Sequence, residues 1–353
     1  MLSRADYVKL PLKERLIKTS KTEEERATVL HEKLPLVDLH SHIVFPHRED
    51  FDRQRVRNSG VTCFVEAVAV LSENFYESVR ELGSVFSFVK KQPDMGLAFS
   101  AEDIRRAKRE GKQVVMAQFE PQTIGLALNN VTILNGLGVR MMLLTFNTRN
   151  YIGDGCAENQ DTGLSYFGFD VVKKMNEEGM MIDLSHCGDQ TTLDTIEASK
   201  DPVLFNHTGA RALNPKCTRL KTDEQMKALA EKGGLMGISA VPNQLSNAKR
   251  QGIQDLLNHV DCVVKLVGVD HVAIGLDKVF GDQVANHRRM MAQGLIDPAK
   301  AGMELNAEYM EGIESPEEWP NITRGLVSRG YSDQEIEKIV GGNALRIMEQ
   351  VIG

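Results

Sequence analysis

Eight short apolar runs, separated by charged and amphipathic stretches, recur along this chain of 353 residues. They are LPLVDLH (34–40), VTCFVEAVAV (61–70), KQVVMAQFE (112–120), VRMMLLTFN (139–147), GMMIDLSH (179–186), DPVLFNH (201–207), GGLMGISA (233–240) and DHVAIGLD (270–277). Runs this short and this apolar have the character of strands buried on both faces, which are parallel strands covered by helices. The spacers supply the helices. Thr222 with Gln225, and Ser332 with Glu335, form capping boxes followed by apolar residues at helical spacing. Gly233 and Gly341 are expected to end those two helices. A further short helix is expected over 102–110, closed by Gly111. Eight strands alternating with helices predict one domain over 1–353, an eightfold α/β barrel of the TIM type. Such a barrel takes about 250 residues. The excess is expected as insertions after strands 1, 2 and 8, with a helical C-terminal region over about 300–353. The competing architecture is an open doubly wound sheet.

The polar residues sit at the C-terminal ends of these runs. His40 and His42 close the first, Glu120 the third, His186 the fifth, His207 the sixth and Asp277 the eighth. In a barrel those ends converge on one face, where chemistry is placed. Histidine and carboxylate are the ligands of borderline divalent metals such as zinc. His40 and His42, two apart on a strand, point the same way and can grip one ion. His186 and His207 can grip a second, with Glu120 bridging the two. Paired ions hold a hydroxide and polarise a carbonyl, and Asp277 would carry the proton to the leaving group. One HxH alone means little, but six such residues at ordered strand ends mean a metal site. His259 and His271 lie outside the strand ends and are expected to be surface or helix-packing histidines. Cys187, beside His186, is expected to be a small buried hydrophobe facing away from the metal.

Composition excludes several classes. Lys and Arg total 42 against 49 Asp and Glu, a net charge of -7, which disfavours nucleic acid as a partner. A local cationic pocket for an anionic substrate remains compatible with that balance. Five scattered cysteines without a CxxC pair argue against a disulfide framework. The charged N-terminus and the lack of a long apolar stretch argue against a leader or a membrane span, so a cytoplasmic location is expected. Asn321, Ile322 and Thr323 fit a glycosylation acceptor pattern, expected to be silent and to cap a helix.

Taken together, VDLHSH, GVRMMLLTFN, GMMIDLSHC, PVLFNHTGARAL, AEKGGLMGIS, GVDHVAIGLD and the C-terminal GYSDQEIEKIVGGNALRIME resemble the renal or membrane dipeptidase family of zinc peptidases, within the amidohydrolase-like hydrolases. The resemblance implies a metal-filled barrel with two divalent ions, most simply zinc. It assigns His40, the bridging Glu120, and His186 with His207 as ligands, and Asp277 as the catalytic aspartate. Arg219 matches the arginine that binds the substrate carboxylate, with Arg211 as the other candidate. A homodimer is implied as well, and the ending MEQVIG gives no sign of a lipid anchor. Three departures stand out. His42 occupies the position of a family aspartate. Phe146, followed by Asn147, replaces a histidine that contacts the reacting centre, and a phenyl ring cannot hydrogen-bond an oxyanion. Lys278 follows Asp277 where the family has DFDG. The expected activity is hydrolysis of an amide or peptide bond in a small dipeptide-like substrate. The alternatives are another carbonyl substrate (a lactone, a cyclic amide or a non-peptide amide) and, further off, a metal-binding scaffold without activity.

Overall fold

The computed structural model describes residues 2–44, 51–69, 74–119 and 124–353. Its strands are β1 (Val37–His42), β2 (Cys63–Val68), β3 (Met95–Leu97), β4 (Gln113–Phe119), β5 (Val139–Leu143), β6 (Met181–Asp183), β7 (Leu204–Thr208), β8 (Leu235–Ile238), β9 (Gln251–Gly252), β10 (Val272–Ile274), β11 (Lys278–Val279) and β12 (Met310–Glu311). Pairing in the main sheet runs β10–β8–β7–β6–β5–β4–β2–β1–β11, with parallel neighbours throughout. β10 and β11 are one stretch of chain interrupted over 275–277. Its first part pairs with β8 and its last part with β1. Between them the Gly275 N–H donates to Ile238 O (3.1 Å) and the Asp277 N–H to His40 O (2.9 Å). The sheet therefore closes on itself as a barrel whose staves coincide with the eight apolar runs, and the open-sheet alternative is excluded.

Burial divides the apolar residues by face. Val37, Leu39, Val65, Met116, Met141 and Leu204 belong to one buried cluster inside the barrel. The C-terminal helix Asn343–Ile352 adds Leu345, Ile347 and Met348 to it, plugging the end where the strands begin. The opposite strand faces join the larger cluster under the surrounding helices. What remains open is the end where the strands finish.

Several local expectations hold and one needs correction. Thr222 and Ser332 cap their helices with reciprocal bonds from Gln225 and Glu335. The helix expected over 102–110 is Ala101–Arg109, capped by Ser100. The added residues after strand 2 form helix Phe75–Lys90, β3 and this capped helix. Those after strand 8 form helix Gln283–Ala292 and a 3-10 turn Pro298–Ala301. Residues 45–50 and 70–73, in the expected insertions after strands 1 and 2, lie outside the described residues. Gly341 ends its helix as expected: its backbone leaves the helical region (φ 179°, ψ -34°), and the chain kinks there before helix Asn343–Ile352. Glycine is needed there because a Cβ would lie 1.9 Å from Pro35 O, on the segment entering β1. Asn321 caps nothing. Its buried amide accepts from the Ile17 N–H (2.7 Å) and donates to Arg15 O (2.9 Å) and Gly312 O (2.8 Å), lashing the N-terminal segment to the barrel.

His259, on helix Ile253–Val267, is a packing histidine. It is 1% exposed, its Nδ1 accepts from the Ala210 N–H (2.9 Å) and its Nε2 donates to Leu245 O (3.0 Å). Burial pushes its pKa down to about 4, so the fold holds the neutral ring. A base whose folded pKa lies below its ordinary 6.5 lends stability that is complete above that value and is lost as pH falls toward 4. The urea midpoint is therefore expected to drop between those pH values, and His259→Gln, which keeps one donor and one acceptor, to flatten the slope by about one proton. Identical slopes in parent and variant would remove His259 from the account.

Candidate metal centre and active site

The open end of the barrel gathers four imidazole rings into one row. β1 carries a register shift between Asp38 and Ser41. This lets Val37 and Leu39 fill the barrel interior while His40 and His42 still reach the mouth, the re-aiming that a bulge provides. Along the row, the His42 and His40 rings lie edge to face at 5.0 Å. His40 stacks on His207 at 3.7 Å, and His207 lies 5.0 Å from His186. Phe146 ends the row by stacking on His186 at 4.4 Å. Asp277 faces the row from the closing stave. Its Oδ1 lies 3.2 Å from His42 Nε2 and 3.6 Å from His40 Nε2, and its Oδ2 lies 3.8 Å from His207 Nε2. Asp277 is held in the left-handed backbone region, φ 55°, between the two halves of that stave. A non-glycine residue there is strained, and the strain turns its carboxylate toward the histidines.

A layer of amides beneath the row fixes which nitrogen of each ring faces inward. Gln118 donates from Nε2 to Asp183 Oδ2 (3.0 Å), which leaves its Oε1 to accept from His40 Nδ1 (2.8 Å). Asn206 donates from Nδ2 to Leu39 O (3.1 Å) and Gln118 Oε1 (2.7 Å), so its Oδ1 accepts from His207 Nδ1. Asn147 Oδ1 accepts from His186 Nδ1 (2.7 Å). Each of these three rings is thus protonated on Nδ1 and presents the Nε2 lone pair to the mouth, the tautomer that metal-binding histidines adopt. Burial supports it: the His40 pKa falls to about 4, and those of His186 and His207 fall well below the ordinary value.

The donor set fits a divalent cation. His186 Nε2 and His207 Nε2 are 3.0 Å apart with both lone pairs inward. Two such nitrogens repel unless positive charge lies between them. Two nitrogens on one tetrahedral zinc, each at ~2.0–2.1 Å, stand roughly 3.3 Å apart. His40, His207 and Asp277 can also each place a ligand atom within 4.8 Å of the others. This grouping crosses the two pairs expected from sequence and brings Asp277 to ligand distance. For Asp277, burial alone would raise the pKa. The hydrogen bond from His42, the neighbouring His40 and His42 and the Arg219 guanidinium outweigh it, and the carboxyl lies below its ordinary value.

Other site candidates divide clearly. Glu120 lies outside the described residues. Arg219 is buried and lines the mouth, a cavity of about 440 Å³, with Phe146 and Asn147. Its guanidinium donates to Ser185 O and to His207 O (3.0 Å). Arg211 instead makes a two-pronged pair with Asp189 (2.6 Å each). Sequence reading missed Gln118, Asp183 and Asn206, although a polar residue inside an apolar strand run is a legible signal. It also missed Glu66, which accepts from Ser41 Oγ (2.6 Å) and the Ile43 (3.1 Å) and Val44 (3.0 Å) N–H groups, holding the chain as it leaves His42. Burial raises its pKa to about 7.

The amide layer is testable at its most exposed member. Asn147→Leu removes the acceptor of His186 Nδ1. Metal affinity, measured by chelator competition without substrate, is expected to fall about 10-fold or more. Unchanged affinity would confine Asn147 to substrate contact.

The model of the membrane dipeptidase family (peptidase family M19) matches residues 24–287 and 303–352. Dipeptidase tcpJ of Claviceps purpurea is 29% identical over 262 residues, 73% of this chain and 55% of that protein. The chain spans about half the length of the curated relatives it matches. An amidohydrolase from Pseudomonas aeruginosa superposes with a TM-score of 0.82 at 28% identity, covering 93% of this chain and 99% of that one. A metallopeptidase from Rhodobacter sphaeroides, solved with a phosphinate mimic of the dipeptide L-Ala-D-Ala, has a TM-score of 0.75 at 18% identity, covering 90% and 99%. With the family model matched over most of its length, this chain belongs to the membrane dipeptidase family.

Proposed function

We propose that the protein is a metal-dependent hydrolase that cleaves the amide bond of a small dipeptide-like substrate. The observation carrying this reading is the set of neutral rings of His40, His186 and His207, the last two with lone pairs turned toward one another, beside an ionised aspartate. His40, His42, His186 and His207 would hold two divalent ions, zinc first among them, with Glu120 as the bridging ligand the family resemblance assigns. When bound, such ions supply an activated water and polarise a carbonyl.

The remaining work falls to side chains. Asp277, ionised at neutral pH, accepts the proton of the attacking water at a carboxylate oxygen and passes it to the leaving nitrogen. Arg219 is anchored by two of its donors, and its other N–H groups are available for a substrate carboxylate. Arg211, committed to Asp189, is the weaker candidate. Asn147 orients His186, and Phe146 covers that ring with an apolar face. One observation favours a second reading, a lactone, cyclic amide or non-peptide amide as substrate: Phe146 brings no hydrogen bond to the reacting centre. The five cysteines are free thiols, in keeping with a reducing cytoplasm. No helix among the described residues is long and apolar enough to cross a membrane. A homodimer completes the proposal, by family resemblance.

A panel of L,L- and L,D-dipeptides, N-acyl amino acids and lactones, run with zinc and with manganese, decides the bond. Asp277→Asn is expected to lower kcat by about 100-fold or more with metal content retained. Loss of an ion from that variant would make Asp277 a ligand in the first place, and unchanged turnover would end its role as base. Phe146→His restores a donor beside His186 and is expected to raise dipeptide hydrolysis relative to the other panel members. No gain at all would refute the link between Phe146 and substrate choice.

A further inference from the structure

One wall of the cavity comes from outside the barrel. Helix Gln283–Ala292 follows the closing stave and is capped by Asp282, whose Oδ1 accepts from the Ala285 N–H (2.8 Å). Gln283 Nε2 donates to Asp277 O (2.6 Å), so the first turn of this helix is fastened to the residue that faces the histidines. Residues four and seven positions on share that face. Gln283, His287 and Met290 accordingly all line the cavity.

Among them, His287 is a polar ring without a partner. It makes no hydrogen bond to any described residue, and its Nδ1 is sealed from solvent. Burial lowers its pKa, with Asp277 opposing and Lys278 and His42 assisting, which leaves the ring neutral. These neighbours place it on the His42–Asp277 flank, whereas Phe146 covers His186 on the other flank. A neutral imidazole lining a cavity with unfilled hydrogen-bonding capacity is a costly arrangement unless a ligand atom completes it. The other charged groups on this wall and beneath it, Arg289 and Arg219, are donors. The family match is interrupted at 288–302, so the wall beyond His287 lies outside the matched residues.

We propose that His287 is a substrate-contacting residue that hydrogen-bonds a carbonyl or carboxylate oxygen of the substrate on the His42–Asp277 flank of the centre, and thereby sets specificity. The inference rests on the hydrolase reading above. It adds that the site's flanks differ in polarity. An apolar substituent packs on Phe146 over His186, and an oxygen-bearing group meets His287 at the opposite end.

The test compares the parent with His287→Leu and His287→Gln in metal-loaded full-length protein. It uses the panel compound that the parent hydrolyses fastest and, independently, calorimetric binding of a phosphinate dipeptide mimic. The leucine variant is expected to lose about 10- to 100-fold in kcat/KM, and the glutamine variant, which keeps a donor, to stay within about fivefold of the parent. Phosphinate affinity should follow the same order, with metal content and Tm unchanged in both variants. A leucine variant within about twofold of the parent overturns the proposal, as does equal damage in both variants accompanied by metal loss. A parent that cleaves lactones but no dipeptide ends the dipeptide reading while His287 is still judged on the lactone. A parent that neither hydrolyses any panel compound nor binds the phosphinate counts against both.

Discussion

Imidazole nitrogens with lone pairs turned on one another do not come together unaided, and the site rests on the groups that force them to. The buried amides of Gln118 and Asn206 each use the amide nitrogen on a fixed acceptor, Asp183 in one case and Leu39 O in the other. That leaves each oxygen for an Nδ1 proton and each Nε2 for the mouth. Were either amide reversed, its ring would present an N–H to the centre, and a cation could not bind there. The layer is buried and its geometry is overdetermined, so ring orientation is set before any ion arrives. This lowers the reorganisation that binding would otherwise require.

Barrel closure and chemistry meet in the same few residues. The eighth stave must pair with β8 at its start and with β1 at its end, and it changes partner over 275–277. Gly275 lies so close to Asn206 that a Cβ would sit 1.8 Å from its carbonyl oxygen. Asp277 follows in a left-handed conformation with its N–H on His40 O. The carboxylate is therefore placed by the joint that seals the barrel, and the strain at that joint is balanced by ladder bonds on either side. A residue positioned in this way has little freedom to relax, which suits a group that must meet several histidines at 3.2–3.8 Å.

The sequence was legible where a single physical rule governs. Apolar runs of strand length marked every stave, because both faces of each stave are buried. Polar residues at the run ends marked His40, His42, His186, His207 and Asp277, because parallel strands finish together. Three things escaped. The bulge in β1 leaves no signature in period-two spacing, since the register shifts between Asp38 and Ser41 while His40 and His42 still agree with each other. Gln118, Asp183 and Asn206 lie inside runs whose overall character is apolar, where only the run-end residues Glu120, His186 and His207 stand out. Helix Gln283–Ala292 belonged to what spacing treats as an insertion, and only its fastening to Asp277 O shows that it walls the cavity. Gly341 was legible as a helix end, but not the close approach to Pro35 O that also demands the missing side chain there.

Lys278 shows how a departure from a family pattern can be absorbed. It follows Asp277 directly, and a free ammonium there would add a strong positive field to a centre already holding cationic groups. The side chain is buried and pairs instead with Glu314 Oε2 (3.3 Å), whose other oxygen accepts from Arg4 Nε. Glu314 is itself buried, and without it the Lys278 ammonium would be an uncompensated charge in low dielectric. The pair thus fastens the closing stave to the segment around β12 and to the N-terminus at once. The lysine that follows Asp277 is neutralised within the scaffold. The histidine-facing side of the stave keeps its carboxylate.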